Sequence, residues 1–360
     1  MKFFNHMLNK SVTAVDRVFY NDHGRKFVVQ DRMVMNDDTV LKVENLSVEF
    51  NSELGWVRAV DKVSFNLKKG KILGIAGESG CGKSVTALSI MRLLPKPVSN
   101  IVEGRAEFEN QNIFNLPVSE MHNIRGKKIS MIFQEPMTAL NPVHGIGKQI
   151  KEVYQLHFTQ LTPSEMREAS INMLEKVGIP DPQKVIKKYP HQLSGGMRQR
   201  VMIAMSLACE PDILIADEPT TALDGTIQAQ ILDLIRSLQK KYDMSVILIT
   251  HDLGVIAENC DDVVVMYAGR VAEKAMVKKL FKSPRHPYTK GLLKSIPQLA
   301  KNPKTTLPTI RGQVPSLMNM PPGCRFAHRC PLTESDCINQ APKIKNIGAN
   351  HTVACHLVHE

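Results

Sequence analysis

Residues 77–84 read GESGCGKS, which places a lysine and a serine after glycines at the spacing G-x-x-x-x-G-K-S. Glycines let the backbone curl so that its N–H groups point at phosphate oxygens. Lys83 would neutralise phosphate charge, and the Ser84 hydroxyl could ligate Mg²⁺. The apolar run KILGIAG leads into this loop and the helical pattern SVTALSIMRLL follows it, as a phosphate-binding loop requires. The residues of this segment expected to contact the bound group are Gly77, Ser79, Gly80, Cys81, Gly82, Lys83, Ser84 and Val85.

Two adjacent carboxylates end the apolar run ILIADEP at residues 213–219. Asp217 would hold Mg²⁺ through water, and Glu218 would polarise a water molecule for attack on phosphorus. Phosphoryl transfer needs chiefly positioning and charge neutralisation, so a carboxylate pair combined with a phosphate-binding loop predicts nucleotide hydrolysis.

A second helix whose N-terminus could bind an anion is predicted at LSGGMRQR, residues 193–200, where Ser194, Gly195 and Gly196 precede a helical pattern. Two further polar residues follow predicted strands, namely Gln134 after ISMIF and His251 after SVILIT. Ligands of α/β sheets bind at the carboxyl ends of the strands, so both residues are candidates for the same site.

Short apolar strands alternate with amphipathic helices from residue 40 onward, which predicts an α/β core with parallel strands covered on both faces. Helices are predicted over TPSEMREASINMLEKVG, with a capping box of Thr162 and Glu165, and over TIQAQILDLIRSLQKKY. Helical patterns dominate residues 137–196. After about residue 284 proline and cysteine become frequent and long periodic elements stop.

Composition limits the classes of protein that remain. The chain is 43% hydrophobic and 22% charged, which is typical of a globular protein, and no apolar run reaches the ~20 residues of a membrane span. The net charge is +11, but the basic residues are scattered and aromatic residues make up 5%. A solvated basic surface is therefore favoured over nucleic-acid binding.

Four of the seven cysteines fall in the last 37 residues with the spacing C-x₅-C-x₆-C-x₁₇-C. The chain is expected to be cytosolic, where stable disulfides are uncommon, and a small module with few apolar residues needs a further stabilising element such as a bound metal. A shared metal site is predicted. The spacing leaves zinc and an iron–sulfur cluster open, because it lacks a C-x₂-C pair and four thiolates suit either group. The predicted ligands are Cys324, Cys330, Cys337 and Cys355.

Taken in order, the phosphate-binding loop, Gln134, LSGGMRQR, ILIADEP, TALD and His251 resemble the ATP-binding-cassette (ABC) ATPases. Longer segments, including MIFQEPMTALNPVHGIGKQI, THDLGVIAENCDDVVVMYAGR and HPYTKGLL, resemble the ATP-binding subunits of oligopeptide/dipeptide importers. The resemblance implies a P-loop NTPase fold, with a RecA-like core, antiparallel β and helical subdomains, and a small cysteine-rich C-terminal module. The domains expected are an N-terminal extension over 1–39, the ATPase domain over 40–285 with its helical subdomain at about 137–196, and the C-terminal domain over 286–360.

The resemblance also implies roles for individual residues. Phe50 would stack on adenine, and Gln134 would contact Mg²⁺ and the attacking water and relay nucleotide state to membrane subunits. Glu218 would be the general base, and His251 would hold the γ-phosphate. Asp224 would cross to a neighbouring site. Ser194, Gly195 and Gly196 would close over ATP held by the P-loop of a second subunit.

By the same resemblance, the chain is expected to be the ATPase of a peptide importer, at the cytoplasmic face of the cell membrane. Its expected partners are a second, non-identical ATPase, two integral-membrane permease subunits and, indirectly, an extracytoplasmic peptide-binding protein, with no nucleic acid. The expected cofactors are Mg²⁺, with ATP, and a [4Fe–4S] cluster on the four cysteines, with zinc as the alternative. Two other functions remain open: transport of another cargo such as nickel or an antimicrobial peptide, and a soluble ABC ATPase without a transport role.

Overall fold

The structure is a computed structural model that describes residues 17–20, 26–29, 38–53, 55–134, 139–221, 223–296 and 308–358. Residues 1–38 and 39–360 are two separate compact units. In the first unit, β1 (Arg17–Tyr20) pairs antiparallel with β2 (Lys26–Val29). The rest of the predicted N-terminal extension, up to residue 37, lies outside the described residues.

The larger sheet of the second unit contains the strands that the apolar runs predicted, and it continues into the C-terminal region. In the described part of the chain its strands are β5 (Ile72–Ala76), β8 (Ile129–Ile132), β9 (Ile213–Asp217), β10 (Ser245–Thr250), β11 (Asp262–Tyr267), β12 (Arg270–Met276), β13 (Lys345–Asn346) and β14 (Thr352–Val353). Their order is β13-β14-β12-β11-β5-β10-β9-β8. The run from β11 to β8 is parallel, and every residue of β5, β9 and β10 is buried. Burial on both faces accounts for their continuous apolar sequences.

A smaller antiparallel sheet packs on the larger one. Within the described residues its strands are β3 (Thr39–Ser52), β4 (Gly55–Lys68), β6 (Ser99–Phe108) and β7 (Gln111–Asn112), in the order β4-β3-β6-β7. One apolar core joins this sheet to the larger sheet and includes Ile90 of the helix that follows the P-loop.

Helices cover the larger sheet and fill the region between β8 and β9. Among the described residues they include α1 (Lys83–Ile90), α2 (Val118–Ile124), α3 (Ile146–His157), α4 (Pro163–Lys176), α5 (Pro182–Val185), α6 (Gly195–Leu207), α7 (Gly225–Lys241), α8 (Leu253–Asn259), α9 (Val277–Lys282), α10 (Pro287–Lys294) and α11 (Ser335–Asn339). The predicted capping box is confirmed at α4, where Thr162 and Glu165 bond to each other's backbone N–H groups. In the described residues, no helix is long and apolar enough to cross a bilayer.

The C-terminal segment completes the edge of the larger sheet. Strand β14 pairs antiparallel with β12, and β13 pairs with β14. Strands of two residues leave no detectable periodicity, so the sequence did not predict them. The predicted domain boundaries at residues 285 and 286 stay predictions.

Candidate functional site

The loop between β5 and α1 contains glycines whose backbone conformations would strain other residues. Gly77 has a φ of 150°, and a Cβ there would lie 2.2 Å from the carbonyl oxygen of Met266. Gly82 precedes α1 with a φ of 99°. The Lys83 ammonium donates to the carbonyl oxygens of Gly77 at 2.8 Å and Glu78 at 3.2 Å. A buried lysine therefore sits inside a tight loop at the amino end of a helix, which suits a phosphate group.

Glu218 is the centre of a polar cluster at the carboxyl ends of the strands. Gln134 Nε2 and Thr221 Oγ1 each donate to Glu218 Oε2 at 3.0 Å. His251 Nδ1 lies 3.3 Å and Lys83 Nζ 3.9 Å from Glu218 Oε1. The structure thus brings together Lys83, Gln134, Glu218 and His251, which are distant in sequence. Thr221 was not predicted, and its only sequence signal is its position in the turn that follows the carboxylates.

The environment of Glu218 keeps its carboxylate ionised. The residue is 8% exposed and has a φ of 45°, with its N–H bonded to the Ile249 carbonyl oxygen at 2.9 Å. Burial by itself raises the pKa of Glu218, but hydrogen bonds from His251 and Thr221 and the charges of His251 and Lys83 lower the pKa below its usual value. An ionised, partly desolvated carboxylate can accept a proton from a water molecule.

Asp217 has an oxygen without a partner. Its side chain is 3% exposed and hydrogen-bonds to Ser84, while its Oδ1 is buried with no hydrogen-bond partner among the described residues. Burial raises the pKa of Asp217 above its usual value. A buried carboxylate oxygen beside a serine hydroxyl is a suitable ligand pair for Mg²⁺, so these residues fit the predicted metal.

The LSGG segment presents two glycines at a helix start. Ser194 Oγ accepts a hydrogen bond from the Met197 N–H at 3.3 Å, and α6 begins at Gly195. A Cβ on Gly195 would meet only Leu223 Cδ2, at 3.7 Å, an ordinary contact, and Gly195 is not among the glycines with positive φ. Nothing in the described residues therefore requires glycine at position 195. Asp224 caps α7, accepting from the N–H groups of Thr226 at 3.1 Å and Ile227 at 3.0 Å.

The remaining predicted nucleotide contacts differ in exposure. Phe50 lies on β3, half-buried against the core that contains α1, and Val85 packs on the same core. Ser79 and Gly80 are exposed. The Cys81 side chain is 1% exposed and burial raises its pKa, so this residue offers only its backbone to a bound phosphate.

Comparison with known proteins gives two family matches and close relatives. A family described as "ABC transporter" matches residues 60–221, and one described as "Oligopeptide/dipeptide transporter, C-terminal region" matches residues 272–337. The chain is 53% identical to the dipeptide transport ATP-binding protein DppD of Bacillus subtilis, across 89% of this chain and 95% of that protein. The chain belongs to the ABC transporter family. As such it is an ATPase, and the predicted ABC ATPase fold is confirmed.

Two further comparisons agree with this. The ABC ATPase is 50% identical to a probable peptide ABC transporter ATP-binding protein of Sinorhizobium fredii, across 88% of this chain and 95% of that protein. The solved structure of the ATP-binding cassette MJ0796, a dimer in a post-hydrolysis state bound to ADP and Pi, is similar with a TM-score of 0.59 and 27% identity. The match covers 66% of this chain and 98% of that one.

The four late cysteines of this ABC ATPase line one small cavity with Phe326 and His286. All are free thiols, and burial raises the pKa of Cys324 to about 11. However, among the residues that the structure describes, no group of three or more potential ligands is arranged to hold a metal ion. The thiols are gathered as the sequence predicted, but the predicted iron–sulfur or zinc site is not supported by this arrangement.

Proposed function

We propose that this ABC ATPase powers the uptake of oligopeptides or dipeptides through a membrane permease, at the cytoplasmic face of the cell membrane. The observation that carries the proposal is the match of residues 272–337 to the C-terminal region of oligopeptide/dipeptide transporters. The cassette alone is common to ABC ATPases with many cargoes, whereas this region adjoins it in peptide transporters. The names of the two relatives support the same cargo class.

The chain's own residues divide the work of hydrolysis. Lys83 and the backbone N–H groups of residues 77–84 bind the phosphates, and Phe50 stacks on adenine. Ser84, Gln134 and Asp217 hold Mg²⁺, which when bound neutralises phosphate charge. Glu218 accepts the proton of the attacking water, and His251, 3.3 Å from Glu218, orients the γ-phosphate.

A second ATPase subunit completes each site in this proposal. Ser194, Gly195 and Gly196 close over the nucleotide held by the partner, and Asp224 reaches across the same interface. The unexplained glycine at position 195 supports this role, since a close approach by an external group is a common reason for glycine. The partner is a non-identical ATPase.

The membrane partners are two integral-membrane permease subunits, supplied with cargo by an extracytoplasmic peptide-binding protein. Within the ATPase domain of residues 40–285, the helical subdomain at about 137–196 transmits the change in nucleotide state. Its contact with the permease follows Gln134, where residues 135–138 lie outside the described residues. No nucleic acid takes part.

Uptake assays test the cargo. In cells lacking this gene, uptake of labelled dipeptides and oligopeptides should fall to background and return with the wild-type chain but not with Lys83→Ala. Nickel uptake should not change, and the chain should co-purify with integral-membrane subunits from detergent extracts. Normal peptide uptake with loss of nickel uptake would favour the other cargo, and absence of a membrane partner would favour a soluble ABC ATPase.

A separate proposal concerns the cysteine-rich C-terminal domain, residues 286–360. We propose that Cys324, Cys330, Cys337 and Cys355 hold a [4Fe–4S] cluster, with zinc as the alternative. The common cavity of the four thiols supports it. The proposal requires the thiols to move from the arrangement described above, since among the described residues no three potential ligands are placed closely enough to hold a metal ion.

Metal analysis distinguishes the alternatives. Protein purified without oxygen should contain about four iron and four sulfide ions per chain and be brown. Cys337→Ser should lose the iron, whereas Cys209→Ser, which changes a half-buried cysteine outside the cluster, should retain it. A colourless protein with one zinc ion per chain would show that the site holds zinc, and a metal-free protein would refute both alternatives.

A further inference from the structure

The C-terminal segment that lies between Cys324 and Cys330 contacts the phosphate-binding loop directly. Arg329 donates through Nη1 to Glu78 Oε2 at 2.6 Å and through Nη2 to Glu78 Oε1 at 2.9 Å, which is a bidentate ion pair. Tyr288 of α10 adds a second contact, because its hydroxyl accepts a hydrogen bond from the Glu78 N–H at 2.9 Å. Both the side chain and the backbone of one P-loop residue are thus held by residues more than 200 positions away in the chain.

Arg329 is held in place by several contacts besides the ion pair with Glu78. Its side chain is 6% exposed, and its guanidinium carbon lies 5.7 Å from the centre of the Tyr267 ring and 6.0 Å from that of Phe326. Its Nε donates to the Arg311 carbonyl oxygen at 3.0 Å. The hydrogen bonds to Glu78 raise the pKa of Arg329. These contacts leave the guanidinium little freedom, so it acts as a rigid clamp on the loop.

The same segment is anchored a second time near the loop. Arg325 Nη2 donates to the buried carboxylate of Asp61 at 2.6 Å, and its Nη1 donates to the Ala268 carbonyl oxygen. The next residue, Gly269, donates its N–H to the Cys81 carbonyl oxygen at 2.9 Å. The C-terminal segment is therefore connected to both halves of the P-loop, at Glu78 and, through the turn at 268–269, at Cys81.

The charge of Glu78 explains why its contact with Arg329 matters for ATP binding. Glu78 is a carboxylate within a loop whose function is to bind phosphates, and an uncompensated carboxylate there would repel the triphosphate. Arg329 cancels this charge through paired hydrogen bonds and also restrains the loop, because Glu78 is one of its residues.

We propose that Arg329 is a positioning residue for ATP binding, which acts through Glu78 and makes the affinity of the cassette for ATP depend on the C-terminal segment. The proposal rests on the assignment of residues 77–84 as the phosphate-binding loop. It adds to the proposed function a control element that lies outside the cassette motifs.

A double-mutant cycle tests the proposal. Arg329→Met should raise the KM for ATP of the assembled transporter about tenfold, with kcat changed less than about twofold, because only nucleotide binding is weakened. The KM of Glu78→Gln alone is the reference for the double variant. Adding Arg329→Met to Glu78→Gln should change KM by less than about twofold, since the charge through which Arg329 acts is then absent. Binding of trinitrophenyl-ATP to the isolated full-length chain should follow the same order.

Controls separate this effect from others. Lys290→Met removes an exposed cation from the same region and should not change KM. Lys83→Ala should abolish trinitrophenyl-ATP binding. If Lys83→Ala still binds trinitrophenyl-ATP, the P-loop assignment fails. If Lys83→Ala loses binding but Arg329→Met binds trinitrophenyl-ATP as wild type does, only the role of Arg329 is overturned. A severalfold rise in KM when Arg329→Met is added to Glu78→Gln also overturns it. Should Arg329→Met not fold, Arg329→Lys replaces it: KM should rise severalfold in the wild-type background and change by less than about twofold in the Glu78→Gln background. An unchanged KM for Arg329→Lys would refute the proposal.

Discussion

Replacing Glu218 by glutamine is expected to lower the turnover number for ATP hydrolysis by at least about a hundredfold while ATP remains bound. Glutamine has nearly the same shape and can still accept hydrogen bonds from Gln134 and Thr221, which lie 3.0 Å from Glu218 Oε2. It cannot take a proton from water. The substitution therefore removes the base and keeps the geometry of the surrounding cluster.

Single-turnover hydrolysis by the assembled transporter is the measurement, together with equilibrium ATP binding. Glu175→Gln, which changes an exposed carboxylate of α4, is the matched control and should hydrolyse at the wild-type rate. Because the pKa of Glu218 is held below its usual value, the carboxylate is ionised across the neutral range and the size of the loss should not vary with pH there. Turnover of Glu218→Gln within a few-fold of wild type would remove Glu218 from the role of base.

The second large effect is expected at Gly195, which we propose acts on the nucleotide of the neighbouring subunit. Gly195→Glu should reduce turnover of the assembled transporter about a hundredfold or more, because it places a carboxylate where a helix start faces the partner's γ-phosphate. Binding of ATP to the isolated chain should not change, since a Cβ at this position would make only an ordinary contact with Leu223 within its own subunit.

Turnover, ATP binding by the isolated chain and thermal unfolding are measured together. Ser237→Glu adds the same charge to an exposed position of α7 and should behave as wild type in all three. Normal turnover of Gly195→Glu, or ATP hydrolysis by the dilute lone chain at the rate of the full transporter, would show that each subunit forms a complete site.

The sequence predicted those parts of the molecule that local patterns determine. Strands β5, β9 and β10 were detectable because burial on both faces requires continuous apolar runs, and α4 because Thr162 and Glu165 form its capping box. The motifs at residues 77–84 and 213–219 indicated the polar cluster, since strand ends of a parallel sheet meet at one edge.

Contacts between distant segments left no such pattern. Thr221 belongs to the cluster around Glu218 because the turn after β9 brings its hydroxyl to Glu218 Oε2, and no local sequence pattern indicates this contact. The pair of Glu78 and Arg329 spans 251 positions, and neither residue type is distinctive on its own. The cysteine spacing predicted that the thiols would gather, and they line one cavity. Spacing cannot fix the distances between sulfur atoms, and among the described residues the thiols are not arranged to hold a metal ion.

The pairing of β14 with β12 has a consequence for how the protein is made. On the ribosome, β12 emerges well before β13 and β14 have been synthesised, so its outer edge stays unpaired during that interval. Glu273 of β12 is fully buried and accepts a hydrogen bond in the finished protein from His351, whose Nε2 lies 2.8 Å away. Two other donors to Glu273, the N–H groups of Arg285 and His286, follow soon after β12 in the chain. What stays unpaired until β14 arrives is therefore the strand edge, and exposed edges recruit other chains. Chaperone demand should therefore peak late in translation.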